Sequence, residues 1–284
     1  MNEKINNRFV KHENNSEVTE EIFGERAKKS LGQNFLTSKR IVERIAMEGK
    51  VNEKDTVLEI GPGKGILTEA LLAKAKKVFA VEKDDGLFDF LNEKFSKEIE
   101  EGKLELIHSD VLDFDFNTKL KSSSYKLIAN IPYNITGEII RKFLSETPQP
   151  SSMTLLVQKE VAERIVARDG KESILSLSVK VFGTPRLGFK ISRGQFTPAP
   201  NVDSMVISVD NIKNPFSDKK EEEIFFSVVK AGFAHKRKFL IRNLEKVSDK
   251  KTLEGIFSSE KIPSSARSED LKLENWINIA KNLK

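Results

Sequence analysis

Cysteine is missing from all 284 residues of this chain. Disulfides, thiolate nucleophiles and cysteine-ligated zinc are therefore excluded. Histidine is scarce: His12, His108 and His235 stand far apart, without metal-ligand spacing, so no metal site is expected. No apolar run approaches the ~18 residues of a membrane span, and no membrane association is expected. The N-terminus has no apolar signal-peptide core. Its acids (Glu13, Glu17, Glu20, Glu21 and Glu25) argue against a transit peptide. The expected compartment is the cytoplasm.

What remains is ordinary globular material, 38% hydrophobic and 32% charged. The net charge of +5 suits a polyanionic partner, although many basic proteins bind no nucleic acid. Residues 1–28 are polar and weakly periodic, and read as a mostly disordered extension. From 29 to 210, short apolar runs alternate with helical stripes. The runs are Thr56–Ile60, Val78–Val81, Leu104–Ile107, Tyr125–Ala129 and Met153–Val157. One stripe carries Ile66, Leu67, Ala70 and Leu71. Another carries Ile135, Ile139, Ile140, Phe143 and Leu144. This alternation predicts an α/β fold, a parallel sheet with crossover helices, in which ligands bind beyond the carboxyl ends of the strands. Residues 211–284 begin with a linker and then show only helical stripes: Ile224, Phe225, Val228, Val229 and Phe233, then Leu273, Trp276, Ile277, Ala280 and Leu283. They predict a small helical domain.

Polar residues gather where the predicted strands end. Gly61, Gly63 and Gly65 follow the first strand in a G-x-G-x-G pattern, which lets backbone turn tightly and approach a ligand. The spacing differs from the dinucleotide pattern, and no Lys-Ser/Thr follows to hold a triphosphate. Glu82 ends the second strand, where a carboxylate can accept both hydroxyls of a ribose. Asp110 follows the third, within reach of an adenine amine. Each acid alone would pass for a solvated loop residue. In this order they outline a nucleoside cradle.

Asn130-Ile131-Pro132-Tyr133 follows the fourth strand. Taken alone it could be a turn. Behind the cradle it has chemical content. An adenine N6 amine is a poor nucleophile, because its lone pair is delocalised into the ring. Two acceptors aimed at its hydrogens favour a more tetrahedral nitrogen. The side-chain oxygen of Asn130 can be one, and the carbonyl of Ile131 or Pro132 the other, on a turn stiffened by proline. Tyr133 can stack on the base. The amine then attacks a sulfonium methyl in line, with no metal and no covalent intermediate.

These motifs together resemble the bacterial small-subunit rRNA adenine N6,N6-dimethyltransferases (the KsgA or RsmA group). The resemblance runs from Leu31 to the C-terminus. It rests on Leu31-Gly32-Gln33-Asn34-Phe35-Leu36, on Val57 to Thr68, and on Asn130-Ile131-Pro132-Tyr133-Asn134-Ile135-Thr136. Phe196-Thr197-Pro198-Ala199-Pro200-Asn201-Val202-Asp203-Ser204 and the basic His235-Lys236-Arg237-Lys238 with Arg242-Asn243-Leu244 complete it. It implies a Rossmann-like S-adenosylmethionine-dependent methyltransferase sheet with a C-terminal helical RNA-recognition domain. It implies S-adenosyl-L-methionine held by Asn34, Leu36, Gly61, Gly63, Glu82, Asp110 and Asn130. Catalysis would fall to Asn130, Pro132, Tyr133 and Phe196, with Tyr133 and Phe196 holding the base. Phe196, in an extended proline-flanked segment, is expected to be exposed. The implied substrate is a pair of adjacent adenosines in the 3′-terminal hairpin loop of small-subunit rRNA, within an assembling ribosomal subunit, and a monomer is expected. The chain departs from the family at Lys171–Ser176, which lacks the expected Tyr-Gly, and at His235, where Gln is expected. The alternatives are a large-subunit rRNA methyltransferase of the macrolide-resistance type, a DNA adenine methyltransferase, and a non-catalytic RNA-binding factor.

Overall fold

The structure is a computed structural model that describes residues 32–120 and 124–283. The expected extension at 1–28 and Leu31 lie outside the described residues.

Seven strands form one sheet. In chain order they are β2 (Thr56–Ile60), β3 (Lys77–Glu82), β4 (Leu104–His108), β5 (Tyr125–Asn130), β6 (Ser152–Gln158), β7 (Thr184–Ile191) and β9 (Ser204–Asp210). Their spatial order is β4-β3-β2-β5-β6-β9-β7. The first five run parallel, while β9 pairs antiparallel with both β6 and β7. The sheet is thus mixed, where the sequence predicts a parallel one. The reason is local. Ser204–Asp210 is buried along almost its whole length, with the burial profile of a strand covered on both faces. Such a run carries no mark of direction.

Alternation sends successive side chains to opposite faces, and both faces are covered. Val57, Val78, Ile128 and Leu156 lie in one apolar cluster with Val42 and Ile45 of α1 (Lys39–Glu48) and Leu67 and Leu71 of α2 (Ile66–Leu72). Leu58, Phe79, Leu127 and Leu155 lie in the other, with Ile139 and Phe143 of α6 (Thr136–Ser145). Between the two stretches run α3 (Asp85–Lys94), α4 (Ser96–Glu100) and α5 (Asn117–Leu120). After β6 come α7 (Lys159–Val166) and α8 (Ile174–Lys180). At the departure from the family pattern, Ser173 caps α8 reciprocally with Ser176. Ser38 stands at the N-cap of α1 without a side-chain hydrogen bond.

The C-terminal part holds α9 (Lys219–Gly232), α10 (Leu240–Leu244), α11 (Lys250–Ser259) and α12 (Leu273–Asn282), and no strand among its described residues. Its buried Phe225, Val229, Leu253 and Trp276 belong to the same apolar cluster as Leu58 and Leu127 of the sheet. Among the described residues no helix is long and apolar enough to cross a membrane.

The chain leaves β2 toward β3 and β4 on one side, then returns to β5 on the other. The carboxyl ends of β2 and β5 therefore flank a topological switch point, where an open α/β sheet leaves a crevice.

Candidate active site

That crevice is a cavity lined by the ends of β2, β3 and β5 and by the segment that enters the fold. Asn34, Leu36, Gly61, Gly63, Glu82, Asp110, Asn130, Pro132 and Tyr133 all line it. Residues up to 99 positions apart in sequence (Asn34 and Tyr133 bound this span) meet because the strands run parallel and end at the same edge.

The glycine turn makes the floor. Gly61 has φ +62°, and a side chain built there would meet nothing within 4 Å, so its α-carbon faces open cavity. Gly63, at φ +59°, lies against the Phe35 ring, 3.0 Å from where a Cβ would stand. Glu82 is buried and fixes the turn. Its Oε2 accepts from the Gly63 N–H at 3.1 Å, and its Oε1 from Lys83 and Asp84 at 2.9 and 3.0 Å. Burial pushes its pKa up, against those three hydrogen bonds. Each oxygen has a second acceptor site, and Oε2 accepts from only one of these three donors. Asp110 is held below the usual carboxylate range chiefly by the Lys83 ammonium, 2.6 Å from Oδ2. Its Oδ1 accepts from the Leu112 N–H at 2.9 Å.

The entering segment makes the roof. Phe35–Leu36 forms a short strand, β1, antiparallel to β8 (Phe196–Thr197). Gln33 donates to Asp84 at 3.2 Å, and Asn34 donates to the Gly32 carbonyl at 3.1 Å. The Asn34 carbonyl accepts from Asn130 Nδ2 at 3.1 Å. A carbonyl can only accept, so the Asn130 atom facing it is the NH2, and Oδ1 is left as that side chain's acceptor. Tyr133 is half-buried, its hydroxyl 2.5 Å from Ser204 Oγ, and burial raises its pKa.

One expectation is corrected. Phe196 is only 4% exposed. It packs with Leu36, Val42, Ile45, Phe189 and Ile191 and does not line the cavity. Pairing of β8 with β1 turns the ring inward, so it supports the roof from behind. Ile131 does line the cavity, with its side chain in the apolar core and 1% exposed.

Three residues escaped the sequence reading. Glu59, in the middle of an apolar strand, lines the cavity fully buried, and its Oε2 has no hydrogen-bond partner among the described residues. Burial pushes its pKa up to about 8, and the charge of Glu82 adds to the rise. An acid inside an apolar run was the available signal. Lys83 and Ser204 gave none, being common residues whose partners are distant in sequence.

These residues fit S-adenosylmethionine. Its cationic end suits a cavity lined by the carboxylates of Glu82 and Asp110; its ribose suits Glu82; its close approach to backbone suits Gly61. Among the described residues no cluster suits a metal ion.

A sequence model described as ribosomal RNA adenine dimethylase matches residues 24–284. The chain is 39% identical to ribosomal RNA small subunit methyltransferase A of Clostridium botulinum, over 87% of this chain and 90% of that one. It is 38% identical to the protein of the same name from Dehalococcoides mccartyi, over 88% and 86%. Among solved structures it is similar to a dimethyladenosine transferase from Plasmodium falciparum (TM-score 0.74, 25% identity, 86% and 95% covered). It is also similar to the 23S rRNA methyltransferase ErmE (TM-score 0.71, 25% identity, 88% and 99% covered). With a matching family sequence, a Rossmann-like sheet and a cavity suited to its cofactor, the chain belongs to the ribosomal RNA adenine dimethylases, S-adenosylmethionine-dependent methyltransferases.

Proposed function

We propose that this chain transfers methyl groups to N6 of two adjacent adenosines in the 3′-terminal hairpin loop of small-subunit rRNA, giving N6,N6-dimethyladenosine during subunit maturation in the cytoplasm. The observation that carries the reading is the pinned Asn130 amide, whose Nδ2 is engaged and whose Oδ1 is left to accept, in a cavity shared with Gly61, Glu82 and Asp110.

Asn34, Leu36, Gly61, Gly63, Glu82 and Asp110 hold the cofactor, which supplies an electrophilic methyl group on a sulfonium. Asn130 Oδ1 accepts one hydrogen of the target amine. The Pro132 carbonyl already accepts from the Ile135 N–H and the Thr136 hydroxyl, both at 3.3 Å. The Ile131 carbonyl is therefore the second acceptor. Together they keep the nitrogen lone pair out of the ring's conjugation. Tyr133 stacks on the base, its ring held by the hydroxyl contact to Ser204. Catalysis is then positioning and fixed dipoles, with no protein nucleophile. The base must leave the RNA stack, and a hairpin loop lowers that cost.

The small-subunit relatives reach 39% identity where the large-subunit enzyme ErmE reaches 25%, which supports the small subunit as substrate. Residues 211–284 are the RNA-recognition part, and the protein acts as a monomer. The test is methyl transfer to small-subunit particles from a hypomethylated strain, with product nucleosides weighed by mass. Dimethyladenosine is expected from the native protein. Asn130→Ala should lose at least about a hundredfold in kcat, the scale for removing an aimed dipole, while RNA affinity stays within about twofold. Modification of large-subunit rRNA alone would overturn the assignment, and undiminished methylation by Asn130→Ala would overturn the acceptor role.

A further inference from the structure

Between α9 and α10 the chain makes an exposed turn, Ala-His-Lys-Arg-Lys-Phe at 234–239. No acid occurs from Phe233 to Leu244. The turn is held rigidly from below. Asn243, 1% exposed, donates from Nδ2 to the carbonyls of Gly232 at 2.6 Å and His235 at 3.1 Å. The Ser268 hydroxyl also donates to the Gly232 carbonyl. Lys238 N–H closes the turn on the His235 carbonyl at 3.0 Å, and Leu240 N–H donates to the Ala266 carbonyl at 2.8 Å.

Phe239 sits at the end of this turn, 47% exposed, next to the fully buried Leu240. It is the single aromatic among the exposed large hydrophobic residues described. A lone exposed aliphatic residue is ordinary. An aromatic ring fixed at the surface beside three cations is what unpaired RNA requires: ammonium and guanidinium groups for phosphates, a π face for a base. The turn also borders a groove between α6, α8 and α9. Lys236 lies at its edge, as do Gly137 and Arg141 of α6. That helix begins directly after the Tyr133 turn, so the groove lies along the element that follows the catalytic tetrapeptide.

We propose that Phe239 is a stacking platform for an unpaired base of the RNA substrate, with Lys236, Arg237 and Lys238 holding the adjoining phosphates. This rests on the reading of the substrate as a looped RNA. The ring recognises a base outside the catalytic cavity and helps to fix which loop nucleotide enters it.

The test uses the full chain, a labelled small-subunit 3′-hairpin RNA and a duplex of the same stem without the loop, titrated by fluorescence anisotropy. Phe239→Ala and Phe239→Leu should both weaken hairpin binding about tenfold or more, the scale of one lost base stack. Duplex binding and cofactor affinity should not change. Phe239→Trp should restore hairpin affinity, and the indole emission added by that substitution should be quenched on binding. Hairpin affinity equal to wild type in Phe239→Ala or Phe239→Leu would overturn the proposal. So would equal losses on hairpin and duplex, which mark a general surface effect. Nucleoside analysis separates this from the substrate reading. If wild type binds the hairpin through Phe239 but methylates a different RNA, the substrate is wrong and the stacking contact stands. If it methylates the hairpin while Phe239→Ala binds normally, the stacking contact alone fails. Wild type that binds neither RNA ends both.

Discussion

Glu59 is the residue whose state depends most on the fold. Its ordinary value is 4.5, and burial beside Glu82 pushes it up to about 8. Between those values the native protein holds a proton that the unfolded chain has released. Stability contributed at this position therefore falls as pH rises from about 4.5 to about 8, with a limiting slope of about 1.4 kcal/mol per pH unit. Above that window it falls no further. Glu59→Gln removes the titration and should flatten the decline, read as denaturation midpoints of the cofactor-free protein between pH 5 and 8.5. Parallel curves for the two proteins would mean that Glu59 is already ionised in the native state. At this scale much of the site was legible, because Asn130, Glu82 and Asp110 each end a strand that the apolar pattern marks. What was hidden depends on contact rather than type. Nothing in Phe196-Thr197-Pro198 announces that β8 pairs with Phe35–Leu36 and turns the phenyl ring inward.

The glycine turn and β1 act as one element. The Phe35 ring rests on Gly63, and Lys64 lies over the same ring with its nitrogen 5.4 Å from the centroid. Gly63→Ala asks for a strained backbone at φ +59° and pushes against Phe35. It should destabilise by about 1–2 kcal/mol, the cost of the left-handed conformation for a residue with a Cβ, and should weaken cofactor binding measured by calorimetry. Gly255→Ala is the contrast. That glycine is exposed inside α11 with nothing within 4 Å of its new methyl, so helix propensity alone acts and stability should rise by about 0.5–1 kcal/mol. Equal effects of the two substitutions would mean that the contact with Phe35 does not matter. Elements were legible wherever one face alternated or a glycine broke the run. β9 was not among the predicted runs, and its direction is set by its neighbours β6 and β7. The edge strand β7 was also missed. Its exposed and half-buried residues, with a bulge between Leu187 and Lys190, blur the period of two.

At the scale of the molecule, the composition shift after 210 suggests two domains, yet the apolar core does not stop there. Phe225 and Trp276 share one buried cluster with Leu58, Leu127 and Met153 of the sheet. Lys171, ahead of α8, bridges to Glu269 and Asp270 at the foot of the helical part. Sequence could show the helical stripes but not what they cover, because a stripe looks the same whether it packs on its own bundle or on a sheet. A shared core means that the two parts lose stability together. Trp276 is the only tryptophan, and it is fully buried in α12, so it reports the helical part without labelling. Its fluorescence transition in guanidinium should coincide with the far-ultraviolet circular dichroism transition of the whole chain. On the proposed reading cofactor binds at the carboxyl ends of β2 and β5, yet at a hundred times its Kd it should raise the stability that Trp276 reports by about 2.7 kcal/mol. A Trp276 transition that ignores the cofactor would show the helical part unfolding by itself. In that case a groove between α6 and α9 could open without the sheet, and RNA docked there would be coupled to the catalytic cavity only through the chain that links them.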